Sequence, residues 1–277
     1  MTSVSTLAMN DGHTIPQVGF GVFQIPPAET ARATQSALDA GYRLIDTAQG
    51  YGNEEGVGAA LRSCALDPDE VFVTTKLTNG EHGYDKATTA FEGSMRKLRL
   101  DVLDLFLIHW PVPAADRYVE TWRAFIELQK AGRIRSIGVS NFSVPHLNRL
   151  FDETGVVPAV NQVELHPYFP QDELRAFHAE HGILTQAWGP LGQGRGLLIE
   201  PALADIAAAK QKTAAQVVLR WHLQIGNVVI PKTTSPTRMR ENLDVFDFDL
   251  DQADMDRIAG IATGQRLGPD PADMNSL

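Results

Sequence analysis

Short apolar runs recur along the chain, and each gives way to a longer stretch with apolar residues three and four positions apart. The alternation predicts eight strands, over 18–21, 43–46, 71–75, 103–108, 134–139, 159–162, 183–187 and 228–230. Helical segments lie between them. PPAETARATQSALDAG has proline in its first turn and Gly41 after its last, and similar segments begin near Asn53, Lys86, Asp116, Ser143, Gln171, Thr213 and Thr237. Strands apolar on both faces and alternating with helices form a parallel sheet, and eight such units close into a (β/α)₈ barrel, an α/β fold. An open doubly wound sheet is the competing topology. Ahead of the first unit, Asn10-Asp11-Gly12 sits between two short alternating segments and predicts a hairpin that closes the bottom of the barrel. No linker, repeat or low-complexity stretch interrupts the pattern, so one domain is expected over residues 1–277.

Composition narrows the partners. Hydrophobic residues make up 43% of the chain and charged ones 21%, enough for a large core. The net charge of −10, with no basic cluster, makes nucleic acid a poor partner, because phosphate neutralisation needs cations. The single cysteine, Cys64, cannot form an internal disulfide. The N-terminus has no basic start and apolar core, and no segment approaches eighteen uninterrupted apolar residues, so a cytoplasmic protein without a membrane partner is expected. Monomer is the default, as no aromatic-rich surface stretch announces an interface.

Barrels of this kind carry their reactive groups at the C-terminal ends of the strands. The second strand ends at Asp46, the third at Lys76 in VFVTTKL and the fourth at His109 in LDLFLIHW, with Tyr51 just beyond Asp46. Taken singly, a carboxylate and a lysine suit a structural ion pair, the histidine a core position and the tyrosine packing. Four such groups beside one apolar core are costly without a use. Their shared chemistry is proton delivery to a carbonyl oxygen. A free tyrosine, with a pKa of about 10, is a poor acid, and an adjacent Lys76 ammonium is expected to lower that value. Asp46 would hold Lys76, and His109 would hydrogen-bond the substrate oxygen. Because protonation achieves little until the carbon receives a hydride, a cofactor site is expected too.

Neither common nicotinamide fingerprint is present. Gly19-Phe20-Gly21 is not continued as G-x-G-x-x-G, and no tyrosine is followed four residues later by lysine. Instead, GYRLIDTAQGYGNEEGVG, SIGVSNF and VIPKTTSPTRMREN are similar to the three signature segments of the aldo-keto reductases, and the resemblance runs almost end to end. GVVPAVNQVELHP, WGPLGQG and ENLDVFDFDL are most similar to the bacterial 2,5-diketo-D-gluconate reductase group.

The resemblance implies an NADPH-dependent reductase with Asp46, Tyr51, Lys76 and His109 as its catalytic tetrad. It implies that Ser140, Asn141 and Gln162 bind the nicotinamide carboxamide, whose donors and acceptor amides and hydroxyls match, and that Trp188 stacks on the ring. Gly189, Leu191, Gly192 and Gln193 fall in a Gly-rich loop suited to a pyrophosphate. Lys232, Thr233, Thr234 and Arg238, followed by Glu241 and Asn242, match the adenosine 2′-phosphate end, which favours NADPH over NADH. His178 and His181 in HAEH have no third ligand in view and are read as surface residues, so no metal is expected.

Phe23 and Trp110 match aromatic positions that line the substrate pocket. Thr78 stands where many relatives have tryptophan, and Gln49 and Gly50 replace apolar residues, so a wider, more polar pocket is expected there. The tail after Leu250 has no aromatic residue. Small carbonyl compounds, such as aldehydes, dicarbonyls or diketo sugar acids, are the expected substrates. The competing readings are a cofactor-binding accessory module with little turnover and a metal-dependent hydrolase on the same barrel.

Overall fold

All eight predicted strands join one parallel sheet, each paired with its neighbour in the chain. The computed structural model describes residues 4–276, so the first three residues and Leu277 of the expected domain lie outside the described residues. Strands β1 (Thr6–Ala8) and β2 (Thr14–Pro16) form an antiparallel hairpin ahead of the sheet. Then follow β3 (Phe20–Gly21), α1 (Pro27–Ala40), β4 (Leu44–Asp46), α2 (Glu54–Ser63), β5 (Phe72–Leu77), α3 (Tyr84–Leu98) and β6 (Leu103–Ile108). The second half runs α4 (Tyr118–Lys130), β7 (Ile134–Ser140), α5 (Val144–Thr154), β8 (Val160–Glu164), α6 (Asp172–His181) and β9 (Leu184–Trp188). It ends with α7 (Pro201–Lys210), α8 (Ala214–Gln224), β10 (Val228–Val229), α9 (Pro236–Leu243) and α10 (Gln252–Ala259).

The sheet closes on itself. Val18 bridges Val229, the Gly19 N–H donates to the Val229 carbonyl at 2.8 Å, and the Val229 N–H donates to the Gln17 carbonyl at 2.9 Å. These bonds satisfy both edges, leaving a (β/α)₈ barrel and not the open sheet.

Helices α7 and α10 are additional to the predicted set. PALADIAAAK buries Leu203, Ile206 and Ala207, but its alanines blur the contrast between faces. Helix α10 opens with a capping box at Asp251 and Asp254, a readable start signal.

Strand alternation decides what faces inward. Leu44, Leu105, Leu107, Val160, Val228 and Ile230 form a buried cluster inside the barrel, while Ile45, Val73, Phe106 and Ile108 belong to the core under the helices. Two residues further up the inward-facing rows come Asp46 after Leu44, His109 after Leu107 and Gln162 after Val160. The lower end is covered as expected: Met9 and Ile15 of the hairpin segment pack into the interior cluster, and the turn at Asn10-Asp11-Gly12 closes with the Met9 N–H on the His13 carbonyl at 2.8 Å.

Candidate active site

Lys76 is fully buried, and its ammonium has three acceptors for three donors. Nζ lies 2.6 Å from Asp46 Oδ1, 2.9 Å from the Thr47 carbonyl and 3.4 Å from the Tyr51 hydroxyl. Burial alone would discharge the amine, but Asp46 and Tyr51 outweigh it and hold its pKa above the ordinary value. The second carboxylate oxygen of Asp46 accepts from Gln162 Nε2 at 2.7 Å, which fixes its orientation. Asp46, Lys76 and Tyr51 are thus joined by direct contacts, and the His109 ring stands edge-on to Tyr51 with centroids 5.7 Å apart.

One electrostatic expectation is overturned. Lys76 does lower the Tyr51 pKa, but burial of the phenol raises it by more and Asp46 adds to the rise, so the net shift is upward. The site holds Tyr51 as the neutral phenol, its proton in place. His109 is pushed down to about 3 by burial and then by the Lys76 charge, so its imidazole is neutral at physiological pH.

Tyr51 is carried on the short turn that follows β4, and that turn is braced by a residue absent from the sequence-based set. Asn53 is buried, accepts from Thr47 Oγ1 at 2.9 Å and donates to the carbonyls of Val22 and Ile25 at 2.9 and 3.2 Å. It ties the Tyr51 turn to the segment bearing Phe23, whose ring lies 4.9 Å from that of Tyr51 and is about half exposed, at 49%. Its only local sequence signal is a polar residue just before a helix.

Of the expected pocket residues, Gln49 is a correction. Its Nε2 donates to the Ala90 carbonyl and Ser94 Oγ, both at 2.9 Å, and its Oε1 accepts from the Thr78 N–H at 3.0 Å. Both amide hydrogens are turned toward α3 and engaged there, as the half-buried position of the side chain requires partners for its polar atoms. Gly50 and Thr78 are neighbours: a Cβ on Gly50 would lie 3.7 Å from Thr78 Oγ1. Trp110 is half-buried just past His109.

Beside the tetrad lies a second polar cluster. Ser140 ends β7, and Asn141 follows it in the left-handed region at φ 62°. Asn141 Nδ2 donates to Ser140 Oγ and to the His109 carbonyl, each at 3.0 Å, while its Oδ1 accepts from Trp188 Nε1 at 2.8 Å. Gln162 spends its amide hydrogens on Asp46 and Gln186, and its Oε1 has no donor among the described residues. Ser140 Oγ donates to the Gln162 main-chain carbonyl at 2.8 Å. With the donors of Ser140, Asn141 and Gln162 engaged, the cluster offers acceptor oxygens and a flat indole, which fit the carboxamide NH₂ and the ring of a nicotinamide.

The loop after β9 bends left-handed at Gly189, Gly192, Gln193, Gly194 and Gly196, and Leu191 packs against the core. At Gly192 the turn needs glycine, since a Cβ would fall 2.8 Å from Leu197. Past β10, Lys232, Thr234 and Arg238 are exposed, Thr233 is buried and accepts from the Ser235 N–H at 3.1 Å, and Ser235 caps α9. Among the described residues, neither Lys232 nor Arg238 pairs with a carboxylate, in a chain where most cations do. Unpaired cations beside a helix N-terminus fit a phosphate. Glu241 is half-buried and Asn242 is buried, in a helix whose Met239 carbonyl accepts from the Tyr42 hydroxyl at 3.1 Å.

The HAEH histidines need a second correction. His178 is buried, within 3.0 Å of Asn161 and 2.9 Å of Thr185, with its pKa pushed down to about 3 by burial; His181 is half-buried and stacked on Phe177. Among the described residues, no group of three or more His, Cys, Asp or Glu could hold a metal, and no helix is long and apolar enough to cross a membrane.

Comparison with known proteins agrees with this geometry. Residues 17–263 match the model of the Aldo/keto reductase family. The chain is 50% identical to methylglyoxal reductase DkgA of Escherichia coli (strain K12) over 98% of both chains. It is 48% identical to 2,5-diketo-D-gluconic acid reductase B of Corynebacterium sp. (strain SHS752001), again over 98% of both. A crystal structure of a Gox0644 mutant in complex with NADPH superposes with a TM-score of 0.94 at 52% identity, over 98% of each chain.

Proposed function

The chain belongs to the aldo/keto reductase family, and from that premise we propose which residues carry its reaction and which carbonyl compounds it takes. It is an NADPH-dependent carbonyl reductase, so the accessory-module and hydrolase readings fall away. When bound, NADPH supplies the hydride that the carbonyl carbon receives.

In our reading, Tyr51 donates the proton to the carbonyl oxygen, Lys76 stabilises the phenolate left behind, and Asp46 keeps Lys76 charged and aimed. The observation that carries it is the Lys76 ammonium, fully buried and bonded at once to Asp46 and Tyr51. Burial keeps the proton on Tyr51 at neutral pH, and the Lys76 ammonium, which opposes that rise, is the group that stabilises the phenolate as the proton passes to the substrate oxygen. His109, neutral, donates a hydrogen bond to that oxygen and fixes its approach. Ser140, Asn141 and Gln162 orient the carboxamide, Trp188 stacks on the ring, the 189–193 loop covers the pyrophosphate, and Lys232, Thr233, Thr234 and Arg238 take the 2′-phosphate.

For substrate we propose small dicarbonyls such as methylglyoxal ahead of diketo sugar acids. Gly50 and Thr78 together leave one small, polar wall beside Tyr51, with Phe23 and Trp110 as its apolar counterpart. A sugar acid's carboxylate needs a cation, and every hydrogen of the Lys76 ammonium is already engaged. We also take the enzyme to work as one domain and one monomer in the cytoplasm, a reading supported by its single closed sheet and lone cysteine.

The test is loss of NADPH absorbance over a panel from methylglyoxal to diketogluconate and bulky aromatic ketones. Turnover is expected with a higher kcat/KM for methylglyoxal than for diketogluconate; the reverse order would discard the substrate assignment. Sedimentation as a dimer would discard the monomer.

A further inference from the structure

Glu164 is the last residue of β8, and no step above uses it. Its side chain is completely buried. Oε1 lies 2.9 Å from His166 Nε2 and accepts from the Leu267 N–H at 2.6 Å, while Oε2 accepts from the Gly268 N–H at 2.8 Å. Burial pushes its pKa up, but His166 and the two amides together outweigh burial and hold it below the ordinary carboxylate value. A buried carboxylate accepting two main-chain amides is a strong, directional clamp.

What it clamps is the C-terminal tail. The tail arrives over Tyr168, whose carbonyl accepts from the Thr263 and Gly264 N–H groups at 3.0 and 2.9 Å. Beyond Glu164 it reaches the loops that follow β5 and β6, where Asn79 Nδ2 donates to the Ser276 carbonyl at 2.8 Å and the Ala114 N–H donates to Asn275 Oδ1 at 3.1 Å. The tail thus runs from the end of β8 to the loops beyond Lys76 and His109, along the mouth of the barrel.

The clamp has a second consequence at Trp188. Gly268 lies against the indole so closely that a Cβ there would fall 2.6 Å from Trp188 Cη2 and 3.1 Å from Glu164 Oε2. At the other end of the same ring, Nε1 donates to Asn141 Oδ1. The indole is therefore held from both ends, by Asn141 and by a glycine that Glu164 holds in place.

We propose that Glu164 is a positioning residue for the reduction: by seating Gly268 against Trp188 it fixes the plane on which nicotinamide stacks, and so couples docking of the C-terminal tail to NADPH affinity. The proposal rests on the assignment of Trp188 to the nicotinamide.

The experiment titrates the full-length protein with NADPH and reads tryptophan fluorescence, with Trp188→Phe used to isolate the Trp188 part of the quench from that of the other three tryptophans. Two variants carry it. Glu164→Gln puts an NH₂ where a main-chain N–H needs an acceptor; Gly268→Ala keeps the carboxylate and presses chiefly on the indole, whose Cη2 lies 2.6 Å from the added Cβ against 3.1 Å for Glu164 Oε2. Each is expected to raise the NADPH Kd about tenfold, to weaken the Trp188 quench, and to raise KM for NADPH more than it lowers kcat. A purely structural anchor would lower the melting temperature of Glu164→Gln and leave Gly268→Ala with wild-type Kd and quench, which would overturn the proposal. If Glu164→Gln does not fold, Gly268→Ala still decides. A wild-type protein that turns over but shows no Trp188 contribution to the quench would remove the cofactor assignment and the proposal with it, leaving the reductase reading in place.

Discussion

The two ends of the cleft are built on opposite principles. At the tetrad, the charged groups are answered from within the chain: the ammonium of Lys76 by Asp46, Thr47 and Tyr51, and the carboxylate of Asp46 by Lys76 and Gln162. At the far end, Lys232 and Arg238 stand exposed with no carboxylate partner among the described residues. Chemistry needs groups oriented before the substrate arrives, and the Asp46–Lys76 pair is buried and internally satisfied, with Tyr51 and His109 half-buried beside it. Recognition of an anion needs charge kept free for it, and the unpaired cations suit the 2′-phosphate proposed for them.

The sharpest way to break this contrast is at the proposed proton donor. Tyr51→Phe is expected to lower kcat by about 10²–10⁴-fold with NADPH affinity unchanged, read by single-turnover kinetics and a binding titration; a matching loss of affinity would mean that Tyr51 belongs to the cofactor site instead. Next comes Lys76→Met, which strands Asp46 as an unpaired buried carboxylate. A loss of about 3–5 kcal/mol in urea unfolding is expected besides the loss of turnover, and a stability-neutral variant would show that the pair is not internally satisfied in the sense argued.

At the open end, Arg238→Ala should raise the NADPH Kd by about tenfold, leave the NADH Kd unchanged and leave kcat at saturating NADPH unaltered. Equal losses for both cofactors would place Arg238 away from the 2′-phosphate. The variant should also unfold at the wild-type urea midpoint, since no partner is stranded by its removal.

Buried imidazoles add a dependence on acid. His109, His178 and His222 are pushed down to about 3 and His82 to about 4, each chiefly by burial. Folded, they stay neutral while the unfolded chain binds protons below about pH 6.5, so stability is full above that value and declines as pH falls toward 4. The slope for each imidazole is at most about 1.4 kcal/mol per pH unit. Substituting Asn for His178 should flatten the measured slope by one such step, while kcat shows no titration of His109 between pH 5 and 8 in the range. The smallest effect on the reaction is expected at Gln49→Ala, which removes the brace between the Tyr51 turn and α3: a rise in KM without a change in kcat, alongside a stability loss of about 1 kcal/mol for each of three hydrogen bonds.

The barrel was legible because its signal is local and repeated. Each strand reads as a short apolar run, each helix as a longer spaced one, and period-two alternation carries the inward row up to Asp46, His109 and Gln162. The placement of Asp46, Lys76 and His109 was legible for the same reason, as polar residues at or near the ends of apolar strands, with Tyr51 on the turn after β4. What escaped was contact between distant segments. Gln49 sits in the expected loop, but nothing near it in the chain announces that Ala90 and Ser94 will capture its amide. His178 lies in a polar stretch and is nonetheless buried by Asn161 and Thr185.

The order of strands and helices, the acidic balance and the identity of the groups at the mouth were therefore determined by the sequence alone, because composition and periodicity are properties of neighbours along the chain. Tertiary structure alone decided the charge states and orientations. Whether Tyr51 ends above or below its free pKa depends on how burial compares with Lys76 and Asp46, and whether Trp188 is held depends on a tail that meets Glu164 from the other end of the chain. Desolvation and long-range hydrogen bonds arise only when the barrel closes, and they set how the residues named by the sequence behave.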